Sequence, residues 1–142
     1  MKKIISLSLL FIFTSFFAHA QDVSYKNINF KYKKGFLVVN NQNVLKLKYS
    51  AGYTNFYDLN TGEEIMYIYY NDNETSSYRD DDYIKVYFTK SKKSLETKLH
   101  HRILMEKLIN EKVLKSDWTL DEDLIGDFIE KYDENFTERT RR

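Results

Sequence analysis

The chain has 142 residues, a length that fits one globular domain, and its 22 Lys and Arg nearly balance its 21 Asp and Glu. This near-neutral charge gives no support to a nucleic-acid binder that works by bulk charge. The sequence has no Cys, which excludes disulfides, thiolate metal sites, a cysteine nucleophile and a lipidated N-terminal cysteine.

The N-terminus has the layout of a secretory signal peptide. Lys2 and Lys3 form a basic start, an apolar run follows over 4–17, and Ala18-His19-Ala20 supplies the small residues of a cleavage site. The apolar run is shorter than the roughly 20 residues that a membrane-spanning helix requires. We therefore expect cleavage between Ala20 and Gln21 and no transmembrane segment in the mature chain. An exported chain without Cys favours a bacterial source, with the product in the periplasm or outside the cell.

The sequence predicts a single domain over 21–136, followed by a flexible basic tail over 137–142. Tyr, Val, Ile, Phe and Thr are dense from Tyr25 to Phe88, and turn residues divide this region into short runs. Apolar and polar residues alternate in several of these runs, which is the period of a half-buried strand. The predicted strands are 28–32, 36–39, 44–49, 53–58, 65–70, 83–88 and 94–99.

The pattern changes near His100, where apolar residues begin to recur at helical spacing. The first helix is predicted to end before Lys115, and its apolar positions are Leu104, Met105, Leu108 and Ile109. A second helix is predicted to start at the capping box Thr119-Leu120-Asp121-Glu122. Its apolar stripe consists of Leu124, Ile125, Phe128, Ile129 and Tyr132.

These elements predict an α+β domain, with a mostly antiparallel sheet of five to seven strands and two short C-terminal helices packed on one sheet face. The helices need an apolar surface, and one face of the predicted sheet offers it through Phe30, Leu45, Leu47, Ile84, Val86 and Phe88. A closed β-barrel with a helical appendix remains the alternative. The protein is expected to be a monomer or, through an exposed edge strand, a dimer.

The sequence contains few groups that could carry catalysis. After cleavage the only histidines are His100 and His101, and no HExxH, GxSxG or phosphate-binding glycine loop is present. No catalytic residue, metal ligand or cofactor is therefore predicted. A small periplasmic hydrolase or lyase that pairs His100 or His101 with a loop carboxylate, such as Asp80 or Asp82, is the alternative function.

An acidic loop follows the fifth predicted strand. Asn71 to Glu74 and Asp80 to Asp82 concentrate oxygen ligands of the kind that Ca²⁺ prefers. The loop lacks the glycine and the distal glutamate of an EF-hand at the required spacing. A solvated acidic loop is therefore the simpler interpretation, and calcium binding is the alternative.

Tyrosine is the most unusual part of the composition, with twelve residues, all after the signal peptide. Tyr83 and Tyr87 flank Lys85 opposite the expected core face, while Lys46 and Lys48 take outward positions on another strand. If these strands are neighbours, the face opposite the core is a surface of phenol rings and ammonium groups. Such rings can anchor a sugar or a protein partner, although tyrosine is also an ordinary strand residue.

The predicted function is therefore an exported, non-enzymatic binding or protein-interaction domain of a bacterial envelope. The candidate ligand-binding residues are Tyr83, Lys85, Tyr87, Lys46 and Lys48. The expected partner is an envelope protein or a surface glycan, and nucleic acid is not expected. Replacing Tyr83 and Tyr87 with Ser is expected to abolish binding with little loss of fold.

Overall fold

The computed structural model describes residues 28–72, 74, 77 and 79–137. The predicted signal peptide over 1–20 and its cleavage site lie outside the described residues, and so does the basic tail from 138 onwards. Part of the acidic loop, at 73, 75, 76 and 78, also lies outside them.

Seven strands form one antiparallel sheet in which every strand pairs with its neighbours in chain order. The order β1 to β7 leaves β1 and β7 at the two edges, so the sheet is open rather than closed into a barrel. Short connections suit this order, because consecutive antiparallel strands need only a tight turn. The strands are β1 (Phe30–Lys33), β2 (Phe36–Val39), β3 (Gln42–Ser50), β4 (Tyr53–Asp58), β5 (Glu64–Asn71), β6 (Tyr83–Phe88) and β7 (Lys93–Thr97).

The turn between β2 and β3 shows how the local sequence sets the strand connections. Asn40 and Asn41 have φ values of 49° and 65°, in the left-handed region that asparagine tolerates better than most residues. The predicted turn at this asparagine cluster is confirmed, although it is shorter than expected because β3 already begins at Gln42.

Two helices follow the sheet, as the change of hydrophobic period predicts. They are α1 (His101–Asn110) and α2 (Glu122–Tyr132). The buried side chains are Leu104, Met105, Leu108 and Ile109 on α1 and Ile125 and Phe128 on α2.

The start of α2 differs from the predicted capping box. Asp121 is the N-cap, and its carboxylate accepts hydrogen bonds from the backbone N–H groups of Asp123 and Leu124. Thr119 is held outside the helix because its carbonyl oxygen accepts a 2.9 Å bond from the Lys115 N–H. A β-bridge also pairs Leu114 with Leu120, so the chain stays extended until Asp121.

The glycine within α2 lies beside the edge strand of the sheet. A Cβ atom at Gly126 would lie 3.4 Å from the Nζ atom of Lys93 on β7. Glycine costs a helix about 1 kcal/mol relative to alanine, and an ordinary contact with the end of a flexible lysine does not explain its use here.

The core lies between the helices and one face of the sheet. All six sheet residues that the sequence assigns to the core face are buried there, from Phe30 on β1 to Phe88 on β6. The predicted order of an antiparallel sheet followed by two helices is confirmed, and the buried helix residues belong to the same cluster as the sheet residues, which supports packing on one sheet face. Trp118 packs against the edge of this cluster just before α2. No helix within the described residues is both long and apolar enough to cross a membrane.

The segment after α2 covers the outer edge of β7. The N–H of Glu96 donates to the carboxylate of Asp133 at 2.8 Å, and its carbonyl accepts from the N–H of Glu134 at 2.7 Å. The carboxylate of Glu134 accepts the next free edge donor, the N–H of Lys98, at 2.7 Å. These contacts satisfy backbone groups that an edge strand otherwise offers to another chain. The outer edge of β7 is therefore not available for pairing with a second chain at Glu96–Lys98. Dimerisation through the other edge strand, β1, stays a prediction.

Candidate functional site

The candidate site is the sheet face opposite the helices, which we call the open face. One row of residues crosses four neighbouring strands on this face. Lys48 on β3 lies opposite Asn55 on β4, Asn55 opposite Tyr67 on β5, and Tyr67 opposite Tyr87 on β6. Strand alternation places these side chains on the surface because their sequence neighbours fill the core.

Four tyrosines on this face, Tyr53, Tyr67, Tyr69 and Tyr87, form a chain of ring contacts that we call the tyrosine row. Tyr69 stacks on Tyr53 with centroids 4.5 Å apart, and Tyr53 meets the edge of Tyr67 at 5.6 Å. Tyr67 then stacks on Tyr87 at 5.1 Å with an interplanar angle of 21°. Both distances and tilts fall in the range of favourable aromatic pairs. Mutual contact therefore fixes the four rings before any partner binds.

The tyrosine row is only half-buried, and Tyr53 is the most open member with 39% of its surface exposed. Burial is the main cause that raises the pKa of Tyr67, and the neighbouring phenols of Tyr53 and Tyr87 raise it further. Its hydroxyl is therefore a neutral donor at physiological pH. Within the described residues, none of the four hydroxyls forms a hydrogen bond with a protein group.

Lysines border the tyrosine row on two sides. On β3, Lys46 and Lys48 are exposed, and the ammonium of Lys48 lies 4.7 Å from the ring centroid of Tyr57. On β6, Lys85 forms a 3.2 Å ion pair with Glu96 of β7. The surface thus offers ammonium and hydroxyl donors side by side.

The buried carboxylate of Glu96 connects Lys85 to the C-terminal segment. Burial alone raises the pKa of a carboxyl, but hydrogen bonds from Thr137 and the ion pair with Lys85 outweigh this effect and lower the pKa of Glu96. The backbone N–H of Thr137 donates to this carboxylate at 2.7 Å. Glu96 therefore holds the C-terminal segment against the open face beside Lys85.

Tyr83 lies on the predicted face but is not accessible there. Only 8% of its surface is exposed, because the ring of Phe136 stacks on it at a centroid distance of 5.0 Å. Its hydroxyl accepts a 2.7 Å bond from the side-chain amide of Asn71. We therefore assign Tyr83 a structural position, while Lys46, Lys48, Lys85 and Tyr87 lie on the accessible part of the open face.

The structure also adds residues that the sequence analysis did not select. Strands β3 and β6 are not neighbours, since β4 and β5 lie between them and contribute Tyr53, Tyr67 and Tyr69. The run 65–70 is apolar on both faces, so its tyrosines could not be separated from core residues. In β4, the alternation of Tyr53, Asn55 and Tyr57 with the buried Phe56 was the sequence signal that could have placed Tyr53 on the open face.

The two histidines lie together at the start of α1, with ring centroids 4.1 Å apart. The Nδ1 atom of His100 accepts a bond from the N–H of Arg102 at 3.3 Å and so caps the helix. Burial lowers the pKa of His101, and its electrostatic interactions with His100 and Arg102 lower it further. Neither imidazole forms an ion pair or hydrogen bond with a carboxylate among the residues that the structure describes.

The described part of the acidic loop does not assemble a metal site. Across residues 28–72, 74, 77 and 79–137, no three His, Asp or Glu side chains lie close enough to hold a metal ion. In this loop Asp82 instead accepts a hydrogen bond from the hydroxyl of Tyr70, which raises the pKa of that phenol.

No family model, curated protein or solved structure matches this chain.

Proposed function

We propose that the chain is an exported, non-enzymatic binding module of a bacterial envelope, and that its open face binds a surface glycan. The observation that carries this proposal is the tyrosine row, whose rings are fixed by mutual stacking and whose hydroxyls have no protein partner among the described residues. Export rests on the N-terminal sequence pattern.

The orientation of the rings favours a partner rich in oxygen atoms. Because Tyr67 and Tyr87 stack on each other, much of their ring surface already has a partner. The groups left for a ligand are ring edges, hydroxyls and the ammonium groups of Lys46 and Lys48, while the ammonium of Lys85 is paired with Glu96. These donors suit the hydroxyl and carboxylate oxygens of a polysaccharide.

The flatness of the surface favours a polymer over a small molecule. Small ligands bind in concave sites, whereas the tyrosine row extends across β4, β5 and β6 on one side of a sheet. Pre-stacked rings also lose little side-chain freedom when a partner binds, which reduces the entropic cost of association. A protein partner is the alternative occupant of such a surface.

Binding is favoured over the alternative of hydrolysis because the required pair of groups is not formed. A general base needs to reach its orienting carboxylate by a hydrogen bond. Among the described residues, His100 instead caps α1, and the rings nearest to His101 are those of His100 and Tyr32.

Affinity electrophoresis in gels containing alginate or dextran tests the proposal. The double variant Tyr67→Phe with Tyr87→Phe keeps both rings and removes only the two hydroxyls. We expect alginate, which is acidic, to retard the unmodified chain most strongly, and the double variant to lose most of this retardation. Tyr49→Phe is the matched control, because Tyr49 is an exposed tyrosine on the helix-bearing face.

Equal retardation of the double variant and the unmodified chain would contradict binding through the tyrosine row. Migration of all variants at the same rate in both gels would overturn the glycan proposal and leave a protein partner as the remaining candidate.

A further inference from the structure

A cavity of about 330 Å³ opens on the helix-bearing side of the sheet, beside the first turn of α1. It is separate from the open face, because its wall residues alternate with those of the tyrosine row along β4 and β5. Its volume lies at the lower end of the range of natural ligand sites, which begins at about 300 Å³.

The walls of the cavity are mostly apolar. Phe56, Ile68 and Ile84 come from three adjacent strands and form its apolar lining. Two tyrosines of the lining are unusually open for residues on this side of the sheet, since Tyr49 is 61% and Tyr70 is 50% exposed. Large apolar side chains that surround an accessible cavity indicate a ligand with an aromatic or aliphatic body.

Two polar groups of the cavity lie at the end nearest to the helix. Tyr32 and His101 both line it, and their rings are 5.4 Å apart. The hydroxyl of Tyr32 is buried and has no hydrogen-bond partner among the described residues. An unpaired buried hydroxyl is energetically costly, and a ligand oxygen placed beside it would remove this cost. Burial also raises the pKa of Tyr32, so its hydroxyl remains a proton donor.

The start of α1 contributes a partial positive charge at this end of the cavity. The first turn of α1 contains no acidic residue, and the partial positive charge of a helix N-terminus attracts negative groups. Arg102 follows directly after His101, and its guanidinium lies 4.9 Å from the ring centroid of Phe30. Glu106 pairs with Arg102 at 3.7 Å and offsets its charge, while Asp82 accepts a hydrogen bond from Tyr70 through one oxygen and has a second, buried oxygen without a hydrogen-bond partner among the described residues.

We propose that this cavity binds a small organic acid, with its apolar body against Phe56, Ile68 and Ile84 and its carboxylate at the Tyr32–His101 end. The apolar walls supply most of the affinity, while the hydroxyl of Tyr32 and the start of α1 select the carboxylate. This site is independent of the open face, so a module that binds a glycan on one face would carry a small acid on the other.

Calorimetric titration of the full chain with octanoate tests the site, and octanol provides the matched neutral probe. We expect octanoate to bind and octanol to bind about tenfold or more weakly, because a charge-assisted hydrogen bond is lost. Tyr32→Phe is expected to reduce this preference, since it removes the buried hydroxyl and keeps the ring. Tyr87→Phe, which alters only the open face, is expected to leave the affinity unchanged.

A substitution that fills the cavity provides a second test. Thr54 lines the cavity and is partly exposed, so Thr54→Phe is expected to abolish octanoate binding. Contacts between octanoate and the methyl groups of Ile68 and Ile84, measured by NMR on the unmodified chain, locate the ligand without relying on any variant.

Three outcomes would overturn the proposal. Absence of octanoate binding, or octanoate contacts elsewhere in the chain, would show that the cavity is not the binding site. Equal affinity for octanoate and octanol would remove the assignment of a carboxylate ligand.

Discussion

The two faces of the sheet come from the same seven strands but differ in what covers them. On the helix-bearing face, Met66, Val86 and Phe88 are completely buried beneath the helices. On the open face, their sequence neighbours Tyr67 and Tyr87 cover one another instead. One face thus stabilises the fold through packing against a second layer, and the other holds a row of rings in place without any covering element.

This comparison suggests that stability and binding can be separated residue by residue. Adjacent positions on one strand point to opposite faces, so changing one is expected to affect the fold and changing the next to affect only the surface. The substitutions below test this separation, from the largest expected effect on stability to the smallest.

Phe88→Ala is expected to have the largest effect. Phe88 is completely buried at the centre of the core, so its removal creates a cavity and lowers the free energy of unfolding by about 3 to 5 kcal/mol. Urea denaturation followed by circular dichroism measures this change. A loss smaller than that caused by a change at the neighbouring Tyr87 would contradict the assignment of the two faces.

Glu96→Gln is expected to have the next largest effect. The variant weakens the contacts of this buried group with Lys85 and Thr137, at an expected cost of about 1 to 3 kcal/mol at neutral pH. The folded-state pKa of Glu96 is lowered, so the stability it provides is complete above its ordinary value of 4.5 and is lost as the pH falls through the lowered pKa.

Measuring the stability of Glu96→Gln at several pH values provides the control for this prediction. Unfolding curves of the variant and the unmodified chain are expected to converge as the pH falls below 4.5. A difference in stability that stays constant across this range would show that the carboxylate charge does not hold the C-terminal segment.

Asp121→Ala tests the observed start of α2. Loss of the N-cap is expected to cost about 1 kcal/mol, because two backbone N–H groups lose their acceptor. Thr119→Ala is the comparison, and it is expected to cost less because Thr119 lies before the helix. Thermal unfolding of both variants decides between the observed cap and the capping box that the sequence suggests.

Tyr87→Phe is expected to have the smallest effect on stability. The ring keeps its stack on Tyr67, and its hydroxyl has no hydrogen-bond partner among the described residues, so the free energy of unfolding should change by about 0.5 kcal/mol or less. Retardation by alginate is nevertheless expected to fall. Unchanged retardation would show that the Tyr87 hydroxyl does not contribute to alginate binding.

The sequence was sufficient to predict the strands, the two helices and the core face. These features depend on local alternation, such as that of Ile84, Val86 and Phe88 with Lys85 and Tyr87. The predicted start of α2 was wrong because a short extended turn, closed by the bridge between Leu114 and Leu120, keeps Thr119 outside the helix.

The candidate sites depended more strongly on contacts that local sequence does not encode. Tyr83 follows the same alternation as Tyr87, but Phe136 from the C-terminal segment covers only Tyr83. The cavity likewise needs Tyr32 from β1 and His101 from α1 to meet, and no local pattern predicts that meeting. The Tyr and Lys residues chosen from the sequence do lie on the face opposite the core, except that Tyr83 is covered, and their role in binding stays a prediction.

Titration of the isotope-labelled chain with alginate, followed by amide NMR, tests the central claim most directly. The account predicts that shifts concentrate at Lys48, Tyr53, Tyr67, Tyr69 and Tyr87 on the open face. The amides of the cavity residues Tyr32 and His101 are expected to stay unchanged. Shifts confined to the cavity, or no shifts at saturating alginate, would contradict the claim that the open face is the glycan-binding surface.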